Sequence, residues 1–235
     1  MPKPECHIYR LGTVNYRRAW DLQVRLAQAV HDGEQPNALL LLEHPHVYTL
    51  GRLSRPEHIL LTPAELAERG IDVVETDRGG QITYHGPGQL VGYPVVNLRE
   101  WGGPLKYVRT LEQIIIKSLA DFGIEAGLVE GLTGVWVGDA KIAAIGVKIS
   151  RGVAYHGFAI NVNTDLSYFD HIVPCGITDR KVTSLARLLG EPVDLEAVQY
   201  SVAYQFGRGM DFRMVEADEE RVTALFSPEV LDLYG

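Results

Sequence analysis

The side chains here that could do covalent chemistry are two cysteines, Cys6 and Cys175, set among a few lysines and histidines. Cys175 stands in IVPCGITD between Pro174 and Gly176, on a loop or at a strand end, where a thiol is accessible. A cysteine becomes nucleophilic when a neighbouring cation or a helix N-terminus lowers its pKa from about 8.5. KVTSLARLLG begins a helix soon after Cys175, and Lys141, Lys148, Lys181, His85 and His156 are possible cationic partners. Lys141 opens a strand just after a Gly-Asp turn in VGDAKIAAIGVKI. A plainer reading stands beside each chemical one: Cys175 as an inert small hydrophobe, Lys141 as a solvated surface charge. Cys6, in an N-terminal segment read as mobile or peripheral, has no such setting and is taken as inert.

A second cluster lies in DRGGQITYHGPGQLVGYP, residues 77–94. GPGQLVG has one residue too many for a dinucleotide fingerprint, and no phosphate-loop pattern occurs anywhere. The segment reads either as strand, turn and strand, or as the wall of a narrow cleft. The second reading rests on Arg78, Tyr84, His85 and Gln89, packed among glycines that leave backbone N–H groups bare for a carbonyl or carboxylate. His44-Pro-His46 is the one metal-like spacing, but the proline disrupts the ladder and no Cys or carboxylate cluster accompanies it. No metal site is expected, and no G-x-S-x-G elbow supports a serine hydrolase.

The elements that must position these groups are legible in outline. Residues 14–31 have helical spacing through Trp20, Val24, Ala27 and Val30, and residues 104–122 through Leu105, Val108, Leu111, Ile115, Leu119 and Phe122. TPAELAERG (62–70) is a short helix with Thr62 as cap, Pro63 at the first position, Glu65 completing a capping box and Gly70 ending it. ALLLLEH (38–44) reads as a buried strand, with further strand text at 71–76, 81–84, 89–97, 134–138, 141–150 and 153–164. Helices are expected at 182–189, at 194–206 with Asp194 as cap, and at 216–226. Strands in runs with helices before and after predict an α+β fold with a mixed sheet.

Composition bounds the rest. The 235 residues are 46% hydrophobic and 22% charged, as in an ordinary soluble globular protein. Apolar runs such as ALLLL fall short of the roughly 20 residues a spanning helix needs. MPKPECHIYRLG lacks the features of a signal or transit peptide, so the expected compartment is the cytoplasm. A structural disulfide is not expected there. A formal charge of −8 argues against broad nucleic-acid binding.

Four segments in order, LLEHPHVYTLGR (41–52), RGGQITYHGPGQLVGYPVVNL (78–98), KIAAIGVKISRGVAYHGFAINVN (141–163) and IVPCGITDRKVTSL (172–185), resemble the lipoyl(octanoyl) transferases. The resemblance spans roughly residues 8 to 190. It implies a single domain over 1–235 with a mixed β-sheet flanked by helices, similar to the biotin/lipoate protein ligase fold. It also implies a Cys–Lys dyad, which falls on Cys175 and Lys141. The acyl pocket carries over to Arg78, Gly79, Gly80, Gln81, Ile82, Thr83, Tyr84 and His85, to Ala144, Ile145 and Gly146, and to Gly157, Phe158 and Ala159. Tyr84, Val91, Ile145 and Phe158 are the expected apolar liners.

The activity so implied moves an octanoyl group from octanoyl-acyl carrier protein onto a lysine of lipoyl domains, through a thioester on the cysteine. The acceptors would be lipoyl domains of 2-oxoacid dehydrogenase complexes and the glycine cleavage H protein. No cofactor, metal, nucleic acid or membrane partner is implied. Acyl carrier proteins are acidic, so docking calls for a local positive rim, with Arg52, Arg55, Arg78, Lys148, Arg151, Arg180 and Lys181 as candidates. Alternatives are an ATP-dependent lipoate-protein ligase, an octanoyl shuttle between protein lysines, and a non-catalytic acyl-binding protein.

Overall fold

A computed structural model describes residues 2–99, 101–173 and 181–224. Strand β1 (Glu5–Thr13) leads to helix α1 (Tyr16–Asp32), then to strands β2 (Asn37–Glu43) and β3 (Val47–Leu50). Helix α2 (Pro63–Glu68) precedes β4 (Asp72–Glu75), β5 (Thr83–His85) and β6 (Gln89–Asn97). Helix α3 (Pro104–Ala120) is followed by β7 (Gly127–Val129), β8 (Leu132–Val137), β9 (Ala140–Ser150) and β10 (Val153–Asn161). Helices α4 (Leu185–Leu189) and α5 (Leu195–Met210), strand β11 (Arg213–Glu216) and helix α6 (Glu219–Ala224) complete the described chain.

Among the described residues the strands form two sheets. The larger has the order β11-β1-β2-β6-β10-β9-β8-β7; the smaller is β4-β3-β5. β1 runs parallel to β2 and β11, while β2, β6, β10, β9 and β8 are antiparallel neighbours, so the large sheet is mixed. The unbroken apolar run of β2 follows from its central place: Leu39 and Leu41 pack toward α3 and α5, while Ala38, Leu40 and Leu42 pack toward α1. This is the expected α+β architecture. Among the described residues no helix is long and apolar enough to cross a membrane.

Several expectations need correction. The N-terminal segment is a sheet strand, and Cys6 is completely buried within it. The buried face of α1 is Tyr16, Ala19, Leu22, Gln23, Leu26 and Val30, and Val24 points outward. Leu105 of α3 is likewise exposed, with Tyr107 and Ile114 taking the inner stripe. The helix expected from 182 starts at Leu185 under a Ser184 cap, because Val182 bridges to Lys141 in parallel. Residues 213–216 are a strand beside β1, and α6 begins only at Glu219. The capping box of α2 is present, with Glu65 N bonded to Thr62 Oγ1 and Thr62 N to Glu65 Oε2.

Candidate active site

A cavity of about 620 Å³ opens where residues 78–83 fold over the large sheet. Part of its floor follows from strand register. Ala144 stands opposite Ala159, and Gly146 opposite Gly157, so two cross-strand pairs of small residues share one face and leave space above them. A Cβ on Gly146 would come within 2.8 Å of Gly79 O, so the glycine segment lies directly against β9. Gly79 N donates to Val147 O at 3.0 Å, and Arg52 N and Leu53 N donate to Arg78 O and Gly80 O.

Arg78 is the bolt of this wall. Its guanidinium is buried; Nη2 donates to Thr49 O (2.7 Å) and Thr49 Oγ1 (2.8 Å), and Nη1 to Gly79 O (3.1 Å). Burial makes the charged form less favourable than in water, and Tyr16 and Tyr93 partly offset this. Such an arginine is structural and does not belong to a docking rim.

Between Ala154 and Phe158 the pairing of β10 with β6 lapses and resumes in the same register. His156 lies in this gap with φ +56°, a left-handed conformation unusual for a residue other than glycine. Its N–H, turned from the ladder, donates to Gln23 Oε1 of α1 at 2.8 Å, which explains a polar residue on the buried face of that helix. Its Nε2 donates to Asp77 Oδ1 at 2.8 Å, and Tyr155 OH donates to Asp77 Oδ2 at 2.7 Å. The His156 hydrogen bond, then those of Tyr155 and the Lys148 charge, outweigh partial burial and hold the Asp77 carboxyl down at about 2. Burial lowers His156 itself, so the ring is the neutral Nε2–H tautomer and its Nδ1 is an acceptor.

His85, Gln89 and Asn161 form a buried chain whose polarity is set by backbone carbonyls. Asn161 Nδ2 donates to Thr183 O (3.0 Å), and Gln89 Nε2 donates to Tyr84 O (3.2 Å) and Asn161 Oδ1 (2.9 Å). Gln89 Oε1 therefore faces His85, whose Nδ1–H donates to it at 2.8 Å. Burial first, then the neighbouring His44 and Arg78, push His85 well below its usual value, so it is neutral. The same chain steadies residues 181–183, which clamp Lys141: Lys141 N donates to Lys181 O (2.9 Å) and Thr183 N to Lys141 O (3.0 Å).

Of the residues singled out in the sequence, Arg78, Gly80, Gln81, Ile82, Thr83, His85, Lys141, Ala144, Ile145, Gly146, Gly157, Phe158 and Ala159 line the cavity together. Gly79 and Tyr84 do not. Tyr84 packs in the small-sheet core, with His46 Nδ1 on its hydroxyl at 2.8 Å. Val91 lies in the core beneath α1 and is no liner. Cys175 and Arg180 fall outside the described residues. Arg52, Arg55, Arg151 and Lys181 are exposed, whereas Lys148 pairs with Asp77 at 3.7 Å.

His44 is buried between Val14 O and Tyr93 OH, and burial lowers it to about 4. Among the described residues no group of three or more His, Cys, Asp or Glu side chains could hold a metal ion. Tyr16, Trp136, Asn161 and Asp77 were missed in the sequence. Trp136 was within reach, since a two-residue Gly138-Asp139 turn sets it opposite Lys141.

Residues 15–207 match the lipoyl protein ligase A/B catalytic domain. The chain belongs to that family. It is 52% identical over 214 residues to an octanoyltransferase of Chloroflexus aggregans, covering 89% of this chain and 97% of that protein. An octanoyltransferase of Solibacter usitatus is also 52% identical, over 89% of this chain and 95% of its own. Octanoyl transfer in protein lipoylation is thus the activity of this acyltransferase. The fold is shared more widely. A crystal structure of lipoate-protein ligase A bound with ATP superposes with a TM-score of 0.78 at 19% identity, covering 97% of this chain and 94% of that one. Biotin protein ligase from Aquifex aeolicus, in complex with biotin and ATP, gives 0.55 at 17% identity, covering 87% and 70%.

Proposed function

We propose that the protein takes the octanoyl group from octanoyl-acyl carrier protein onto Cys175 and passes it to a lysine of lipoyl domains. Those domains would be the ones of 2-oxoacid dehydrogenase complexes and of the glycine cleavage H protein, modified in the cytoplasm. The observation that carries the reading is the cavity: Lys141 lines it together with a floor of small residues and the apolar Ile82, Ile145 and Phe158. An eight-carbon chain gains about 0.8 kcal/mol for each methylene it buries there.

The chemistry needs no nucleotide. Cys175, as a thiolate beside the Lys141 ammonium, attacks the donor carbonyl. The carbonyl–sulfur bond to the carrier breaks, and Lys141 gives its proton to the departing phosphopantetheine thiolate. A neutral acceptor amine then attacks the Cys175 thioester. An amide forms, the surplus amine proton passes to Lys141, and Cys175 leaves as the thiolate, restoring the starting pair. One thioester replaces another in the first half, and the amide makes the second half run downhill.

Because ATP-dependent ligases share the fold, the test is nucleotide dependence. Transfer from octanoyl-acyl carrier protein to a lipoyl domain is expected to proceed unchanged after hexokinase and glucose have removed ATP. Transfer of free octanoate that requires ATP, with none from the carrier protein, would contradict the reading.

A further inference from the structure

The turn Gly138-Asp139 places Val137 opposite Ala140 and Trp136 opposite Lys141 across the β8–β9 hairpin. Residues directly opposite on antiparallel strands touch through their side chains. Here Lys141 Nζ lies over the Trp136 ring, 4.9 Å from its centroid, within cation–π range. Trp136 is 3% exposed and lines the cavity, so little water competes for the ammonium on that side.

The stem of Lys141 is steered there from behind. The pairing of β8 with β9 shifts register between Val135 and Trp136, next to Gly134 with φ +126°. A Cβ on Gly134 would meet Lys141 Cε at 3.3 Å and Ala143 O at 2.7 Å, so the lysine stem runs across a place that only glycine leaves open. The bulge is held in turn by Glu112, a fully buried carboxylate of α3. Its Oε1 accepts from Gly134 N at 3.1 Å, and its Oε2 accepts from Arg109 Nη1 at 2.7 Å.

We propose that Trp136 is a positioning residue that holds the Lys141 ammonium on its indole face and so keeps the acylation proton on Lys141 until the thiol departs. This rests on the octanoyl-transfer reading given above. The ring favours the charged lysine through its negative face, an effect that grows when water is excluded. It counters the desolvation that would otherwise neutralise a lysine in a cavity. Among the described residues the other ionisable groups are Tyr16, Arg78, His85, Tyr93, His156, Asp170 and Lys181 on the cavity wall, with Lys181 Nζ 3.3 Å from Asp139 Oδ2 and Glu112 behind Gly134; the octanoyl-transfer reading adds the Cys175 thiolate. None of them is altered by a change confined to the indole.

The test is a series of fluorinated tryptophans installed at position 136 alone, which preserves the ring's shape while draining its π density. The Lys141 titration midpoint is read by NMR on ¹³C-labelled lysine, assigned with Lys141→Arg. The midpoint is expected to fall stepwise with fluorination, by about one pH unit at the most fluorinated ring, and Trp136→Leu to match that end point where it folds. The alkaline limb of the acylation rate should move down with it. A midpoint that stays fixed across the series would overturn the proposal, as would a limb that stays put while the midpoint moves. The NMR titration needs no acyl transfer, so failure of the octanoyl-transfer reading, seen as no acylation of the unmodified protein, is distinguished from failure of the Trp136 role.

Discussion

Replacing Gly146 by alanine probes the cavity wall with a single methyl. The position has no left-handed backbone demand, so any penalty is steric. The new Cβ would stand 2.8 Å from Gly79 O, 3.3 Å from Arg78 Cδ and 3.4 Å from Arg78 Nη1. Carbon contacts settle near 3.5–4.0 Å, so residues 78–80 must retreat by roughly half an ångström or more. They are held by Gly79 N on Val147 O and by the Arg78 bonds to Thr49, and cannot retreat freely. Overpacking of this kind costs about 1–3 kcal/mol, which for a protein of this size lowers Tm by about 2–4 °C per kcal/mol. The same methyl takes roughly one methylene of room from the acyl chain, worth about 1–3 kcal/mol in a closed pocket. The assay is single-turnover acylation with butanoyl-, hexanoyl- and octanoyl-acyl carrier protein, beside a thermal melt. Octanoyl transfer is expected to fall at least about tenfold, with butanoyl transfer hurt least. Unchanged Tm together with unchanged octanoyl kinetics would refute the close approach of residues 78–80 to β9.

Three further outcomes follow from the same geometry. Asp77 is held at about 2 against an ordinary 3.8, so the stability it contributes is present above pH 4 and is lost as pH falls from about 4 through 2. With the carboxylate about a third exposed, that contribution is about 1 kcal/mol; Asp77→Asn should flatten this part of the acid stability curve, and parallel curves would assign the slope elsewhere. Arg78→Met leaves Thr49 O and Gly79 O without their donor and should cost about 2 kcal/mol or more. Arg78→Lys should recover little of it, since one ammonium does not reproduce the planar fork, and chemical denaturation measures both. Cys6 is fully buried and burial pushes its thiol far up, so Cys6→Ala should leave acylation unchanged, and Cys6 should resist iodoacetamide until the protein unfolds.

The local signals in the chain were reliable where one interaction decides the outcome. The α2 capping box and the Asp194 cap of α5 are examples, as is the doubly covered run of β2. Outcomes that depend on distant partners were not legible. β1 is a strand because β2 and β11 flank it in parallel, a pairing that no local pattern announces. The true face of α1 includes Gln23, which a hydrophobic stripe rejects; it is buried because the His156 N–H needs an acceptor across the helix–sheet interface. The segments Arg78–His85, Ala144–Gly146 and Gly157–Ala159, each legible as a motif, do converge on one cavity. Tyr84 was misplaced because alternation along so short a strand as β5 does not reveal which sheet's core it faces. The Trp136–Lys141 pair needed only a count across the turn.

The most direct test of the account is intact-mass analysis after mixing the protein with octanoyl-acyl carrier protein and no acceptor. The prediction is one octanoyl adduct, mapped to Cys175, absent in Cys175→Ala, slowed at least about a hundredfold in Lys141→Ala and discharged when a lipoyl domain is added. Transfer to the lipoyl domain without any adduct, or an adduct that persists in Cys175→Ala, would contradict it.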